Sequence, residues 1–182
     1  MRRCGKWAAL VVMLAVVVVL NGCAATGSSP TTSPSGQHQF GVQTKTSGCQ
    51  AQGGLPDSAC TPGAIFASAT KDQICQSGYA SSVRNVPASE KDAVYAEYGI
   101  ARHFTGQYEV DHLVSLELGG SNDIANLWPE LASPTPGFHQ KDSVENYLHD
   151  QMCSGAVSLQ QAQIEIATNW LQVYQQMQGS GQ

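Results

Sequence analysis

An acidic residue and a histidine stand side by side in the sequence, at Asp111 and His112. A carboxylate oxygen is a good ligand for Mg²⁺ or Mn²⁺ and is also accepted by Zn²⁺. The ordinary pKa of histidine, about 6.5, leaves a neutral ring at pH 7 that can take a proton from water. The pair therefore predicts hydrolysis in which Asp111 binds a divalent metal and His112 is the general base. The alternatives are a turn-capping aspartate and a histidine bonded to backbone.

The residues around this pair must place it on a strand. From Tyr108 to Leu116 apolar residues alternate with polar ones, which is typical of a strand with one buried face. A loop with Gly119-Gly120 follows, where the backbone can turn freely. Leu127 and Trp128 are expected to form a short second strand that the next residue, a proline, stops.

Three helices are predicted around the strands. Apolar residues recur at three- and four-residue spacing from 139 to 152, and Gly155 can end that helix. Ser158 with Gln161 forms a capping box for a last helix that reaches about Met177 with a long apolar face. A shorter helix is expected from 89 to 98. Strand, loop, strand and helix thus follow one another around the acidic residue and the histidine.

The segment from Tyr108 to Pro129 contains Asp111-His112, then a Gly-Gly pair, then Asn-Leu-Trp-Pro. In this order it resembles the HNH endonuclease superfamily. Shorter segments over about residues 60–175 resemble small secreted bacterial HNH proteins: 61–64, 74–79, 83–84, 141–146, 153–155 and 162–163. The resemblance implies an α+β fold, with a small ββα-metal (HNH) core and flanking helices. It also implies hydrolysis of phosphodiester bonds in nucleic acid, with a divalent ion (Mg, Mn or Zn) and no organic cofactor.

The resemblance also implies a late histidine as second metal ligand beside Asp111. His139 is the candidate, but the common pattern reads His-x-x-Lys, and here Lys141 follows one residue sooner. Asp142 and Glu145 are therefore alternative ligands on the same predicted helix.

Three further residues receive site roles. Asn126 matches the middle residue of the motif, and its amide could orient His112, ligate the metal or only fix the loop. Lys141 could contact a phosphate or pair with Glu145 four residues on. Arg102, just before the motif strand, is a candidate substrate contact or a residue of an exposed loop.

Residues 1–22 are expected to be an export signal, with a basic start and an unbroken apolar run from Trp7 to Leu20. A lipoprotein-type cleavage box then places Cys23 as the lipidated first residue of the mature chain. The alternative is ordinary cleavage near Ala24-Ala25, which gives a freely secreted protein. Residues 23–58 are rich in Ser, Thr, Gly and Pro and predict a flexible tether, and 59–178 form the HNH nuclease-like domain.

Four cysteines remain after the signal and Cys23: Cys49, Cys60, Cys75 and Cys153. An even number in an exported chain predicts disulfides, and four cysteines allow three pairings. The resemblance favours Cys75 with Cys153, which leaves Cys49 with Cys60. A cysteine-zinc site is disfavoured because no Cys-x-x-Cys spacing occurs.

The chain is acidic, with nine basic and 14 acidic residues and a net charge of −5. Removal of the three basic residues in the signal leaves six against 14, or −8. Because nucleic-acid binding needs basic surface, affinity should be weak and metal-dependent. The expected substrate is DNA rather than RNA, outside the cytoplasm, with the protein in the cell envelope or secreted. A different function is a non-catalytic envelope lipoprotein that retains the HNH fold.

Overall fold

The computed structural model describes residues 38–180, and the fold is α+β. It has one two-stranded antiparallel sheet, five helices and two disulfides. The predicted signal peptide 1–22, Cys23 and residues 24–37 of the predicted tether lie outside the described residues.

The helices and strands follow the order helix, helix, helix, strand, strand, helix, helix. Their bounds are α1 Lys71–Ile74, α2 Tyr79–Val83, α3 Ala88–Glu97, β1 Tyr108–His112, β2 Leu127–Leu131, α4 Phe138–Ser154 and α5 Leu159–Gly179. Two short 3-10 turns, Leu116–Leu118 and Ile124–Asn126, lie in the loop between the strands. The predicted strand, loop, strand and helix around Asp111 are therefore present.

The helix ends follow from capping chemistry in the sequence. The Ser158 side chain accepts a hydrogen bond from the Gln161 backbone N–H at the start of α5, as predicted. Gly155 ends α4 with φ 87°, a left-handed conformation that is unfavourable for residues with a Cβ atom. Thr70 and Gln73 form a capping box that starts the single-turn helix α1.

The predicted end of the second strand before Pro129 is wrong, because β2 continues to Leu131. Pro129 lies opposite Val110 in the antiparallel register, between the pairs Glu109–Glu130 and Asp111–Trp128. Within residues 38–180, β2 pairs only with β1, so its other edge can carry a residue that has no backbone N–H.

The two faces of the hairpin pack against different helices. Residues opposite each other share a face, so Asp111, Trp128 and Glu130 lie together on one side. This side meets α4, and Trp128 belongs to the main core with residues of α4 and α5. Val110 and Leu127 lie on the other side and form a smaller apolar cluster with a residue of α3.

The C-terminal helix supplies much of the main core. Its predicted apolar face is confirmed, and its fully buried members are Ala162, Ile166 and Trp170. The indole N–H of Trp170 donates to the backbone oxygen of Gly54, 2.9 Å away. α5 therefore holds both α4 and the segment before residue 58.

Residues 38–58, which the sequence assigns to the tether, make contacts with the domain. The Gly41 backbone N–H donates to the Gly63 backbone oxygen, and the Gln43 amide donates to the Glu97 carboxylate. The disulfide that joins Cys49 to Cys60 ties this segment covalently to the start of the domain.

The second disulfide joins Cys75 to Cys153 across 78 positions of the chain, so the pairing that the resemblance favoured is confirmed. Disulfides persist in oxidising compartments, so both bonds are consistent with an exported protein. Within residues 38–180, the helices are too short or too polar to cross a membrane.

Candidate functional site

The two residues that first indicated chemistry point to opposite sides of β1. Asp111 and His112 are consecutive in an extended strand, so their side chains alternate between the two faces. Asp111 faces α4, where it contacts Lys141. His112 lies opposite Leu127, on the face that packs towards α3. The site therefore has two halves, one on each side of the strand.

The His112 ring is buried, at 3% exposure, and one of its nitrogens is held by Asn122. His112 Nε2 lies 3.2 Å from Asn122 Oδ1. The same oxygen accepts from the Asn85 backbone N–H, and Asn122 Nδ2 donates to the Val83 backbone oxygen at 2.8 Å. These two bonds fix the orientation of the amide and present its oxygen to the ring. An oxygen can only accept, so Nε2 carries the ring proton and Nδ1 keeps the free lone pair.

Burial lowers the pKa of His112 to about 4, although Asp111 and Asn122 act in the opposite direction. The exposed Arg84 lowers it further through its positive charge. The ring is therefore neutral at pH 7, with Nδ1 able to accept a proton. This is the protonation state that a general base requires.

On the other face, a buried lysine joins two carboxylates. Lys141 has no exposed surface, and its Nζ donates to Asp111 Oδ2 at 2.6 Å, to Glu145 Oε1 at 2.5 Å and to the His112 backbone oxygen at 2.7 Å. An ammonium group has three donors, so all of them are used. Of the two roles predicted for Lys141, this geometry corresponds to the ion pair with Glu145 and does not present the amine to a phosphate.

The charges of this cluster depend on one another. Burial alone would raise the pKa of Asp111, but the Lys141 ammonium beside it holds that pKa below its ordinary value. For Lys141, burial alone would lower the pKa, but the negative charges of Asp111 and Glu145 hold that pKa above its ordinary value. The pair is therefore ionised at neutral pH. For Glu145, burial dominates and raises the pKa to about 7.

Glu130 is buried beside this cluster at 1% exposure, and in the described part of the chain neither of its oxygens has a donor as partner. Burial raises the pKa of Glu130 to about 10, despite the nearby positive charge of Lys141. The carboxyl group is thus protonated at neutral pH. The protonated Glu130 carboxyl group helps to hold the pKa of Asp111 down.

Asn126 fixes the loop between the strands. It is fully buried, and its Oδ1 accepts from the Val114 backbone N–H at 2.9 Å and from the Ala64 backbone N–H at 3.2 Å. Its Nδ2 donates to the backbone oxygens of Val114 and Ser121 at 3.0 and 2.8 Å. Backbone groups therefore occupy all four hydrogen-bonding positions of the Asn126 amide. Of the roles considered for Asn126, fixing the loop matches this geometry, whereas the amide that contacts His112 belongs to Asn122.

The remaining predicted site residues lie at the surface. His139 is exposed in the first turn of α4, with its ring centroid 4.2 Å from that of Phe138. Arg102 is exposed in the loop before β1. Neither is brought into a hydrogen bond with Asp111 or His112 among the described residues.

Sequence reasoning missed Asn122 and Glu130 as site residues. Asn122 stands in the polar Ser-Asn-Asp run after the Gly-Gly pair, and its position before the 3-10 turn is the one available signal. Glu130 could be found only through the strand register, which places it on the same face as Asp111. The wrong prediction that Pro129 ends the strand concealed that register.

A separate group of side chains could hold a metal ion. Within residues 38–180, Cys75, His149 and Cys153 form the one set of three such residues whose ligand atoms all lie within 4.8 Å of one another. The two sulfur atoms are bonded to each other in this structure. The group lies apart from Asp111 in sequence, with two members on α4 and one at the residue that ends α1.

Comparison of the chain with protein-family models, with curated proteins and with solved structures found no match. The resemblance to the HNH superfamily therefore rests on the residues quoted from the sequence.

Proposed function

We propose that the chain is a metal-dependent HNH-type endonuclease that hydrolyses phosphodiester bonds of nucleic acid, with DNA as the main substrate. The observation that carries the proposal is the state of His112. Its pKa of about 4 keeps the ring neutral, and Asn122 fixes the proton on Nε2. A neutral imidazole with a fixed tautomer, next to the motif loop, is what a water-activating base requires.

In the proposed reaction, His112 Nδ1 takes a proton from water as the water oxygen attacks phosphorus. The phosphorus–oxygen bond to the leaving group breaks, and the leaving oxygen takes up a proton from solvent. Asn122 keeps the ring oriented through the Nε2–H bond, since its own amide is anchored to Val83 and Asn85. Asn126 acts one step further away, by fixing the backbone of the loop that carries Asn122.

The donor chemistry near Asp111 is compatible with a divalent ion. Burial and the negative charge of Asp111 raise the pKa values of Glu109 and Asp142, which shows that unbalanced negative charge gathers there. His139 acts on Asp142 through its charge and is the nitrogen ligand proposed beside Asp111. Lys141 already occupies Asp111 Oδ2, so a metal must share Asp111 with it. When bound, such an ion would polarise the phosphate and stabilise the leaving oxygen.

The surface contact with the substrate is proposed to involve Arg84. Arg84 is exposed, and its charge acts on His112, on Glu109 and on Asp142, so it lies near both halves of the site. Lys141 is buried and fully hydrogen-bonded, so it positions Asp111 instead of binding phosphate. Arg102 remains a prediction as a second contact.

The proposed setting is the cell envelope. Export is supported by the two disulfides, and a lipid anchor on Cys23 is proposed from the cleavage box in the sequence. Mass spectrometry of the mature protein tests the anchor, because Cys23→Ser should abolish the acylated N-terminal peptide. An unmodified N-terminus at Ala24 or Ala25 in the wild type would contradict it.

The test of the function is cleavage of supercoiled plasmid by the full chain in mild detergent, with Mg²⁺, Mn²⁺ or Zn²⁺ and with EDTA. We expect nicking that requires metal and that His112→Ala removes. The matched control is His103→Ala, which removes an exposed histidine and should leave cleavage unchanged. Thermal unfolding of each variant shows that loss of activity is not loss of fold.

The alternative is a non-catalytic envelope lipoprotein that retains this fold. Two features favour it: the Lys141 ammonium fills the cation position beside Asp111, and the mature chain carries a net charge of −8, six basic against 14 acidic residues. No cleavage by a folded wild type with any of the three metals would establish the alternative over the nuclease.

A further inference from the structure

The Cys75–Cys153 disulfide has a histidine beside it, away from the proposed nuclease site. His149 Nε2 lies 3.4 Å from Cys153 Sγ, and the ligand atoms of His149, Cys75 and Cys153 all lie within 4.8 Å of one another. Each of the three residues is partly exposed, so solvent, reductants and ions can reach them.

The fold brings these three residues together from two elements. His149 and Cys153 are four positions apart on α4, so their side chains lie on the same face of the helix. Cys75 is the residue that ends α1, and the core contacts of Ile74 hold α1 against α4. The arrangement therefore rests on the packing of two helices as well as on the covalent bond.

A second observation concerns the other nitrogen of the His149 ring. His149 Nδ1, and not the Nε2 that lies near Cys153, is 3.7 Å from Asp150 Oδ1. Histidines that bind metals commonly donate their free ring N–H to a carboxylate, which orients the ring and strengthens it as a ligand. In His149, Nε2 thus lies near the two sulfur atoms, and Nδ1 lies near a carboxylate.

We propose that Cys75, Cys153 and His149 form a site for a zinc-class divalent ion whenever the disulfide is reduced. Two thiolates and one imidazole match the preference of Zn²⁺, and a fourth position stays open to water. Tetrahedral ligands at about 2.3 Å from zinc place two sulfur atoms about 3.8 Å apart, which opening of the S–S bond permits. This proposal is independent of the nuclease activity.

Reduction of the disulfide opens the metal site, and oxidation closes it. A dithiol reductant gives two electrons and two protons to the Cys75–Cys153 bond, which breaks into two thiols while the reductant becomes a disulfide. Binding of the divalent ion then releases two protons from the thiols to solvent. In the reverse direction, a disulfide oxidant takes two electrons from the thiolates, the S–S bond forms again, and the ion leaves. Metal and disulfide therefore exclude each other, and each links α1 to α4.

The test measures how Zn²⁺ protects individual cysteines of the full chain from alkylation. The protein in mild detergent is reduced with a phosphine, incubated with or without Zn²⁺ and treated with iodoacetamide, and the modified peptides are quantified by mass spectrometry. We expect Zn²⁺ to slow modification of Cys75 and Cys153. The internal control is Cys49 and Cys60, also a disulfide pair but outside the metal-ligating group, which should react equally fast with and without Zn²⁺.

The variant His149→Ala separates a built site from two neighbouring thiols. Loss of a ligand should weaken Zn²⁺ protection by more than the roughly 10-fold that loss of an outer partner causes. The matched control His103→Ala should leave protection unchanged. The proposal is overturned if all four cysteines are protected alike, if none is protected, or if His149→Ala protects as well as the wild type.

Discussion

Lys141 on α4 places its Nζ 2.6 Å from Asp111 Oδ2 on β1, and the same ammonium group also pairs with Glu145. Burial of an ion pair is costly, but removal of one partner is costlier, because the other charge stays buried. The pair therefore locks the register of α4 against the hairpin and holds Asp111 ionised.

Replacement of Lys141 by methionine should destabilise the fold severely. Lys141→Met keeps the apolar stem but leaves Asp111 and Glu145 without their common partner, so we expect a loss of about 3–5 kcal/mol in the free energy of unfolding. Urea unfolding measures it. Lys91→Met, at an exposed position of α3, is the control and should stay within about 0.5 kcal/mol of wild type. Equal stability of the two variants would show that the buried pair contributes nothing.

Asn126→Asp tests whether Asn126 is a structural residue. The aspartate can still accept from backbone N–H groups but cannot donate, so two buried carbonyl groups lose their partner. We expect a loss of roughly 1–3 kcal/mol for each unpaired carbonyl in urea unfolding. The exposed Asn146→Asp is the control. If Asn126→Asp folds as stably as that control but no longer cuts DNA, Asn126 has a direct catalytic role instead.

The protonation of His112 should be abnormal and adjustable. In the wild type we expect its ring protons to titrate near pH 4 in NMR spectra, with the signal assigned by its absence from His112→Asn. Asn122→Asp places a carboxylate beside the ring and should raise the pKa, whereas Asn146→Asp should not. A wild-type titration near pH 6.5 would refute the buried neutral ring.

Because the pKa of His112 is lowered in the fold, its protonation should make the fold less stable as the pH falls. The unfolded ring takes up a proton near its ordinary pKa of 6.5, but the folded ring resists protonation down to about 4. The contribution of His112 to stability is thus complete above 6.5 and is lost as the pH falls from there towards 4.

Glu130→Gln should remove a loss in the free energy of unfolding that the wild type suffers as the pH rises above 4.5. The pKa of Glu130 is about 10 in the fold and 4.5 ordinarily, so its contribution to stability is complete below 4.5 and is lost as the pH rises towards 10. Glutamine keeps the shape and stays uncharged at every pH. We expect the variant to gain roughly 1–3 kcal/mol over wild type between pH 5 and pH 8, the scale of an unpaired buried polar group. Guanidinium unfolding at several pH values checks this, and parallel curves would contradict a protonated Glu130.

The long helices and the strand that carries His112 could be predicted from the sequence, because they depend on local signals. Apolar spacing and the Ser158 cap place α5, and Gly155 ends α4. The pairing of Cys75 with Cys153 came from the family resemblance and not from spacing.

The arrangement of the site depended on contacts distant in the chain, which no local pattern encodes. Adjacency of Asp111 and His112 in sequence suggested one site, but the strand pleat turns them to opposite faces. The burial of Lys141 follows only from the packing of α4 on the hairpin, and Glu130 becomes visible only once Pro129 is paired with Val110. Charged residues inside a fold are unusual, so a sequence pattern places them at the surface by default.

The bond between Cys75 and Cys153 encloses both strands and most of α4 in one covalent loop. A protease that cuts the exposed turn at 133–135 would therefore produce two fragments that stay joined. The severed chain should migrate as one band on a non-reducing gel and separate only after reduction. A single cut would then not release the half that carries His112 from the half that carries Lys141.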